Sequence, residues 1–167
     1  MKKLYVTYCS SGKQSGVNPP DRLYISDRIS RFINRCRAVG VDWAIFSALY
    51  GFVFPEEEKK DYNVTLRTDK IYWLDVVVIK DQQKLSYEQS KKHIKKIVEK
   101  LKKQANERFV DKIIFYGPAP KMIKCYLKIL HYTFDKCSQS HGWFELIEHV
   151  RNQSKMIKRI DRVEKIL

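Results

Sequence analysis

Lys3-Leu4-Tyr5-Val6-Thr7-Tyr8 runs directly into Cys9-Ser10-Ser11-Gly12-Lys13-Gln14-Ser15-Gly16, and this passage decides the fold. A short apolar run rich in aromatic and β-branched side chains predicts a core strand. The small and hydroxyl residues behind it predict a loop leaving that strand at its carboxyl end. Asp42–Ser47 and Lys112–Tyr116 have the same form, each closed by small or turn-forming residues. Between them the pattern is helical. Asp21–Val39 sets Leu23, Ile25, Ile29, Phe32, Ile33 and Cys36 on or near one face, and Gly40 takes the C-cap role. Ser86–Asn106 carries a stripe of Ile94, Ile97, Val98, Leu101 and Ala105, and Ser86 with Gln89 has capping-box spacing. Met122–Phe134 reads as a third helix after the break at Pro118 and Pro120, while Ile71–Ile79 stays open between strand and helix.

Strands alternating with helices point to βαβ units. The expected fold class is α/β, a three-layer α/β/α sandwich with a mostly parallel central sheet. In Phe144–Leu167, the spacing of Leu146, Ile147, Val150, Ile157, Ile160 and Val163 predicts one or two amphipathic helices. The expected organisation is therefore an α/β domain over residues 1–140 and a basic C-terminal helical extension over 141–167.

The chain has 167 residues, a single-domain length, and 44% of them are hydrophobic, which excludes a disordered class. No apolar run reaches the roughly 18 residues that a membrane helix needs, so no membrane partner is expected. The amino terminus is too short in its apolar part for a signal peptide. Cys9, Cys36, Cys125 and Cys137 form no C-x-x-C pair, and the histidines His93, His131, His141 and His149 are not at ligand spacing. Reduced thiols in a cytoplasmic protein, with no metal and no cofactor, are expected. The net charge is +14 at a pI near 9.6, of which residues 81–167 carry +10. A basic balance favours a nucleic acid or nucleotide as partner. Lys91, Lys92, Lys95, Lys96 and Lys103 line the long helix as a candidate nucleic-acid face, and a solvated surface is the plainer reading of the same residues. The C-terminal helices could also pair two copies into a homodimer.

In open parallel sheets, ligands sit outside the carboxyl ends of the strands, which singles out three loops. After the first strand, Ser10, Ser11 and Lys13 have the chemistry for a phosphate or a carboxylate, although no Walker A motif is present. After the second, Ser47-Ala48-Leu49-Tyr50-Gly51 presents Ser47, Tyr50 and Gly51, with the aromatic ring offering a face to a base. After the third, Gly117-Pro118-Ala119-Pro120-Lys121 offers Gly117 and Lys121 near a helix start. Tyr24 and Ser26 lie at the start of the first helix. Asp61 is the candidate general acid or base and Ser47 the other candidate catalytic residue, although no histidine is placed for a hydrolase triad.

Cys9-Ser10-Ser11-Gly12-Lys13, Leu23-Tyr24-Ile25-Ser26, Trp43-Ala44-Ile45-Phe46-Ser47-Ala48-Leu49-Tyr50-Gly51 and Asp61-Tyr62 occur in that order. The set resembles an uncharacterised family of small bacterial, archaeal and phage proteins marked by C-S-x-x-K, L-Y-x-S and S-A-x-Y-G. The match covers roughly residues 3–131. Leu49 stands where that family usually has a lysine, and the basic C-terminal region lies outside the pattern. At fold level the pattern is similar, distantly, to domains of archaeosine synthases and to the layering of uracil-DNA glycosylases. The loop chemistry and basic balance lead to an expectation of nucleotide or nucleic-acid binding at the loop edge, and the fold-level similarity alone points to a nucleobase or N-glycosidic bond as the target of any chemistry. A non-catalytic nucleic-acid-binding module and a helix-mediated interaction protein are the alternatives.

Overall fold

A computed structural model describes residues 2–136 and 156–167. It is a mixed α/β fold around a five-stranded, mostly parallel sheet. The strands are β1 (Lys3–Tyr8), β2 (Val17–Asn18), β3 (Trp43–Ser47), β4 (Gly51–Val53), β5 (Lys59–Lys60), β6 (Val64–Thr68), β7 (Val76–Lys80), β8 (Gln83–Lys84), β9 (Lys112–Tyr116) and β10 (Ile157–Ile160). The helices are α1 (Pro20–Leu23), α2 (Asp27–Val39), α3 (Tyr87–Glu107) and α4 (Pro120–Leu130). The main sheet runs β10-β9-β1-β3-β4, with β4 alone antiparallel. β1 is central, and Leu4 to Tyr8 are all buried because both of its faces and both of its edges are covered. A separate antiparallel sheet, β6-β7-β8, and a two-stranded ladder, β2-β5, complete the strands among the described residues.

Alternation along the strands sends aromatic side chains to opposite faces of the main sheet. Phe32 of α2 stacks on Tyr116, with centroids 6.0 Å apart, and meets Trp43 edge-on. Tyr126 of α4 meets Tyr8 and Phe46, each with centroids 5.3 Å apart. Trp43 and Phe46 lie three residues apart on one strand, so α2 and α4 pack against opposite faces.

Two expectations change. The span Asp21–Val39 is not one helix. Tyr24 is extended and forms an antiparallel bridge with Lys13, supported by Gln14 N–H on Leu23 O and Ile25 N–H on Gly12 O. Ser26 then starts a new helix, its hydroxyl accepting from Ile29 N. At Gly12 a Cβ would stand 2.8 Å from Ile25 O, so the ladder closes only around a glycine. The second change concerns the C-terminal helical extension. Ile157–Ile160 is a strand paired in parallel with β9, and residues 141–155 of the expected extension lie outside the described residues. Ile157 and Ile160 are buried while Lys158 and Arg159 are exposed, which is a spacing of three that a short edge strand and a helix share. Residues 157–160 of the helix expected there thus form an edge strand instead.

α3 agrees with its pattern: Ile94, Ile97, Val98, Leu101 and Ala105 are buried, and both capping-box hydrogen bonds form at Ser86 and Gln89. Gln104 accepts from Phe52 N–H and donates to Phe52 O, each at 2.8 Å, covering the free backbone of the edge strand β4. His93 contacts Ala48 O at 2.7 Å, which makes Nε2 the donor. Burial, before any charge effect, holds the His93 pKa below its ordinary 6.5. The folded state then binds fewer protons than the unfolded state below pH 6.5, so stability is present above that pH and falls as the solution is acidified through the folded value. Denaturant midpoints between pH 7 and pH 5 should fall less in His93→Gln than in the native chain. Equal falls would show that His93 does not contribute.

Candidate functional site

β1 is flanked by β3 on one side and β9 on the other, so the chain's crossovers diverge at its carboxyl end. That is the switch point where such sheets bind ligands. A cleft of about 390 Å3 opens there, lined by Tyr8, Cys9, Ser10, Ser11, Ser26, Arg28, Thr65, Leu66, Arg67, Met122 and Tyr126. It draws on the β1 loop, the start of α2, β6 and α4.

Arg28 shapes one wall. Its guanidinium donates to Thr7 Oγ1 at 2.6 Å and to Tyr8 O at 2.8 Å, and it lies 3.6 Å from the Tyr8 ring centroid. Thr7 Oγ1 in turn donates to Tyr116 O, tying this corner to β9. Burial is the main influence on Arg28 and lowers its pKa, opposed by the surrounding tyrosines and Cys9. An arginine nevertheless stays charged at neutral pH. Tyr126 forms the floor: its hydroxyl contacts Cys9 Sγ at 3.6 Å, and burial pushes its pKa well up.

Beside the cleft, a hydroxyl chain joins three of the motifs. Ser47 donates to the Tyr62 hydroxyl at 2.8 Å, and the Tyr62 and Tyr24 hydroxyls are 2.8 Å apart. Burial raises the pKa of both tyrosines, so the chain is neutral at physiological pH. Lys13 Nζ sits 4.2 Å over the Tyr62 ring, where burial lowers its pKa, partly offset by Cys9 and Asp61. Tyr50 meets the same ring edge-on and donates to Lys60 O.

The structure thus gathers Ser10, Ser11, Lys13, Tyr24, Ser26, Ser47, Tyr50 and Asp61 at one edge, but it gives them unequal roles. Ser10 donates to Gly12 O within its own loop while lining the cleft with Ser11 and Ser26. Ser47 is wholly buried, accepts from Leu49 N and Tyr50 N, and so holds a turn rather than facing a ligand. Asp61 accepts from Gly16 N and donates its own N–H to Gly16 O, which anchors the β2–β5 ladder. Gly51 has φ +72°, and a Cβ there would meet Gln104 Oε1 at 2.7 Å, so it serves the packing of α3. Gly117 is engaged by β10: its N–H donates to Ile160 O, and its carbonyl accepts from Arg159 at 2.8 Å. Lys121 is exposed and does not line the cleft.

Of the lysine face, Lys92, Lys95, Lys96 and Lys103 are exposed, whereas Lys91 is half-buried. Lys95 also lies 5.7 Å from the Trp73 ring centroid. No group of three or more His, Cys, Asp or Glu side chains could hold a metal among the described residues. No helix among them is long and apolar enough to cross a membrane. Sequence reasoning passed over Arg28, Arg67 and Tyr126. Only Arg28 had a signal, as an arginine just inside a helix that follows a strand-end loop. No protein-family model, no curated protein and no solved structure matches this chain.

Proposed function

We propose that the chain is a three-layer α/β/α domain that binds a nucleotide or a nucleic-acid segment in the cleft at the carboxyl end of β1. The observation that carries this reading is the cleft's lining: two arginines, four hydroxyl residues and two tyrosines at a topological switch point. Guanidinium and hydroxyl groups suit phosphate, and tyrosine rings suit a base. The distant fold-level similarity to archaeosine-synthase domains and uracil-DNA glycosylases points to the same class. No carboxylate among the described residues lines the cleft, and Asp61 is tied to Gly16. The lining therefore favours binding over hydrolysis of an N-glycosidic bond.

The exposed lysines of α3 favour a second, auxiliary contact with polymer backbone. Titration with single-stranded oligonucleotide over a range of salt concentrations tests both readings. Reversing Lys92, Lys95 and Lys96 to Glu should flatten the slope of log affinity against log salt by about 2 or more, at roughly 0.7 per phosphate contact. Mononucleotide binding should be retained. An unchanged slope removes α3 from the interface, and a wild-type chain that binds neither nucleotide nor oligonucleotide ends the cleft reading.

A further inference from the structure

The cleft's charge is unbalanced in one direction. Arg28 and Arg67 line it, and no Asp or Glu among the described residues does. Neither arginine forms an ion pair among the described residues, although ion pairs occur elsewhere on the surface, such as Arg37 with Asp21 and Lys84 with Asp69. Arg28 is fixed by Thr7, by the Tyr8 and Cys9 carbonyls and by the Tyr8 ring, and it is half-buried. These contacts do not use all five N–H donors of a guanidinium. A cation held out of water without a counter-charge is costly, and an anionic ligand offsets that cost. Ser10, Ser11, Ser26 and Thr65 ring the same space with hydroxyls.

We infer that Arg28 and Arg67 together form a phosphate subsite, with Arg28 the preorganised member and Arg67 the exposed one that closes on the ligand. The inference rests on the proposed nucleotide reading and adds where the phosphate end of the ligand lies. It moves the phosphate away from the lysines the loops suggested. Lys13 is spent on the Tyr62 ring, and Lys121 is outside the lining. A planar guanidinium matches phosphate through paired hydrogen bonds, which neither lysine can supply.

The test is calorimetric titration of the full chain with inorganic phosphate, with nucleoside 5′-monophosphates, and with a short oligonucleotide carrying either a 5′-phosphate or a 5′-hydroxyl. Arg67→Ala, on an exposed position, should weaken binding of phosphate and of the monophosphates by roughly ten- to a hundredfold. Arg28→Lys should do the same while keeping the charge, because the paired geometry is lost. A preference for the 5′-phosphorylated oligonucleotide identifies a strand end as the source, and a preference for the monophosphates identifies a free nucleotide.

Three results overturn the subsite. These are no phosphate binding by the native chain, native affinity in Arg67→Ala and Arg28→Lys, or loss of phosphate binding in Lys13→Ala with both arginine variants intact. Failure of the nucleotide reading looks different: phosphate binds in an arginine-dependent way, and no nucleoside or oligonucleotide adds affinity.

Discussion

Ser47→Ala should destabilise the protein by about 2–4 kcal/mol and lower its melting temperature by about 5–15 °C. The hydroxyl accepts from Leu49 N at 3.1 Å and Tyr50 N at 2.9 Å, and donates to the Tyr62 hydroxyl at 2.8 Å. Alanine removes all three partners at a wholly buried position. Each polar group left unsatisfied costs about 1–3 kcal/mol, with some relief where the half-exposed turn admits water. Thermal unfolding followed by circular dichroism measures the loss, and phosphate titration at low temperature measures the binding of the folded protein. The expected result is reduced stability with phosphate affinity retained. Native stability with phosphate binding abolished would make Ser47 a ligand-contacting residue and overturn the turn-holding role.

The same residue shows what a sequence can and cannot convey. A serine at the end of a buried strand, followed by Ala-Leu-Tyr-Gly, marks a special turn in either case, because the hydrogen-bonding capacity that could serve a ligand can equally satisfy two amides. Only the packed structure shows where that capacity is used. The strands β1, β3 and β9 were legible because central parallel strands are buried on both faces and read as unbroken apolar runs. α3 was legible because a three-quarter-polar helix must show its stripe and its cap. The small antiparallel sheet was not, since Val64–Thr68 and Gln83–Lys84 are short and half-polar. β10 was misread because Ile157 and Ile160 sit at a spacing that suits a helix. The site followed the same division. Of the residues singled out in the sequence, Ser10, Ser11 and Ser26 line the cleft, while Arg67 and Tyr126 belong to elements distant in sequence that only the fold brings to the end of β1.

Tyr126 supplies the other large expected effect. It is the floor of the cleft and a principal contact between α4 and the sheet, with Tyr8 and Phe46 each 5.3 Å away between ring centroids. Truncating a large buried aromatic costs about 3–5 kcal/mol, the sum of lost transfer energy and the cavity left behind. For a chain of this length, Tyr126→Ala should lower the melting temperature by about 6–20 °C. Tyr126→Phe keeps the ring and loses only the hydroxyl contact with Cys9, worth about 0.5–1.5 kcal/mol. The pair of variants therefore separates two roles of one side chain. If the ring carries the packing, urea unfolding should rank native, Phe and Ala with the large step last. If the hydroxyl carries it, the two variants should be equally damaged. That second pattern would mean that the Cys9–Tyr126 contact, rather than aromatic packing, holds α4 against the carboxyl end of β1. The phosphate measurements add an independent axis. The arginines reach the cleft from α2 and β6, so Tyr126→Phe should retain arginine-dependent phosphate binding at a stability close to native.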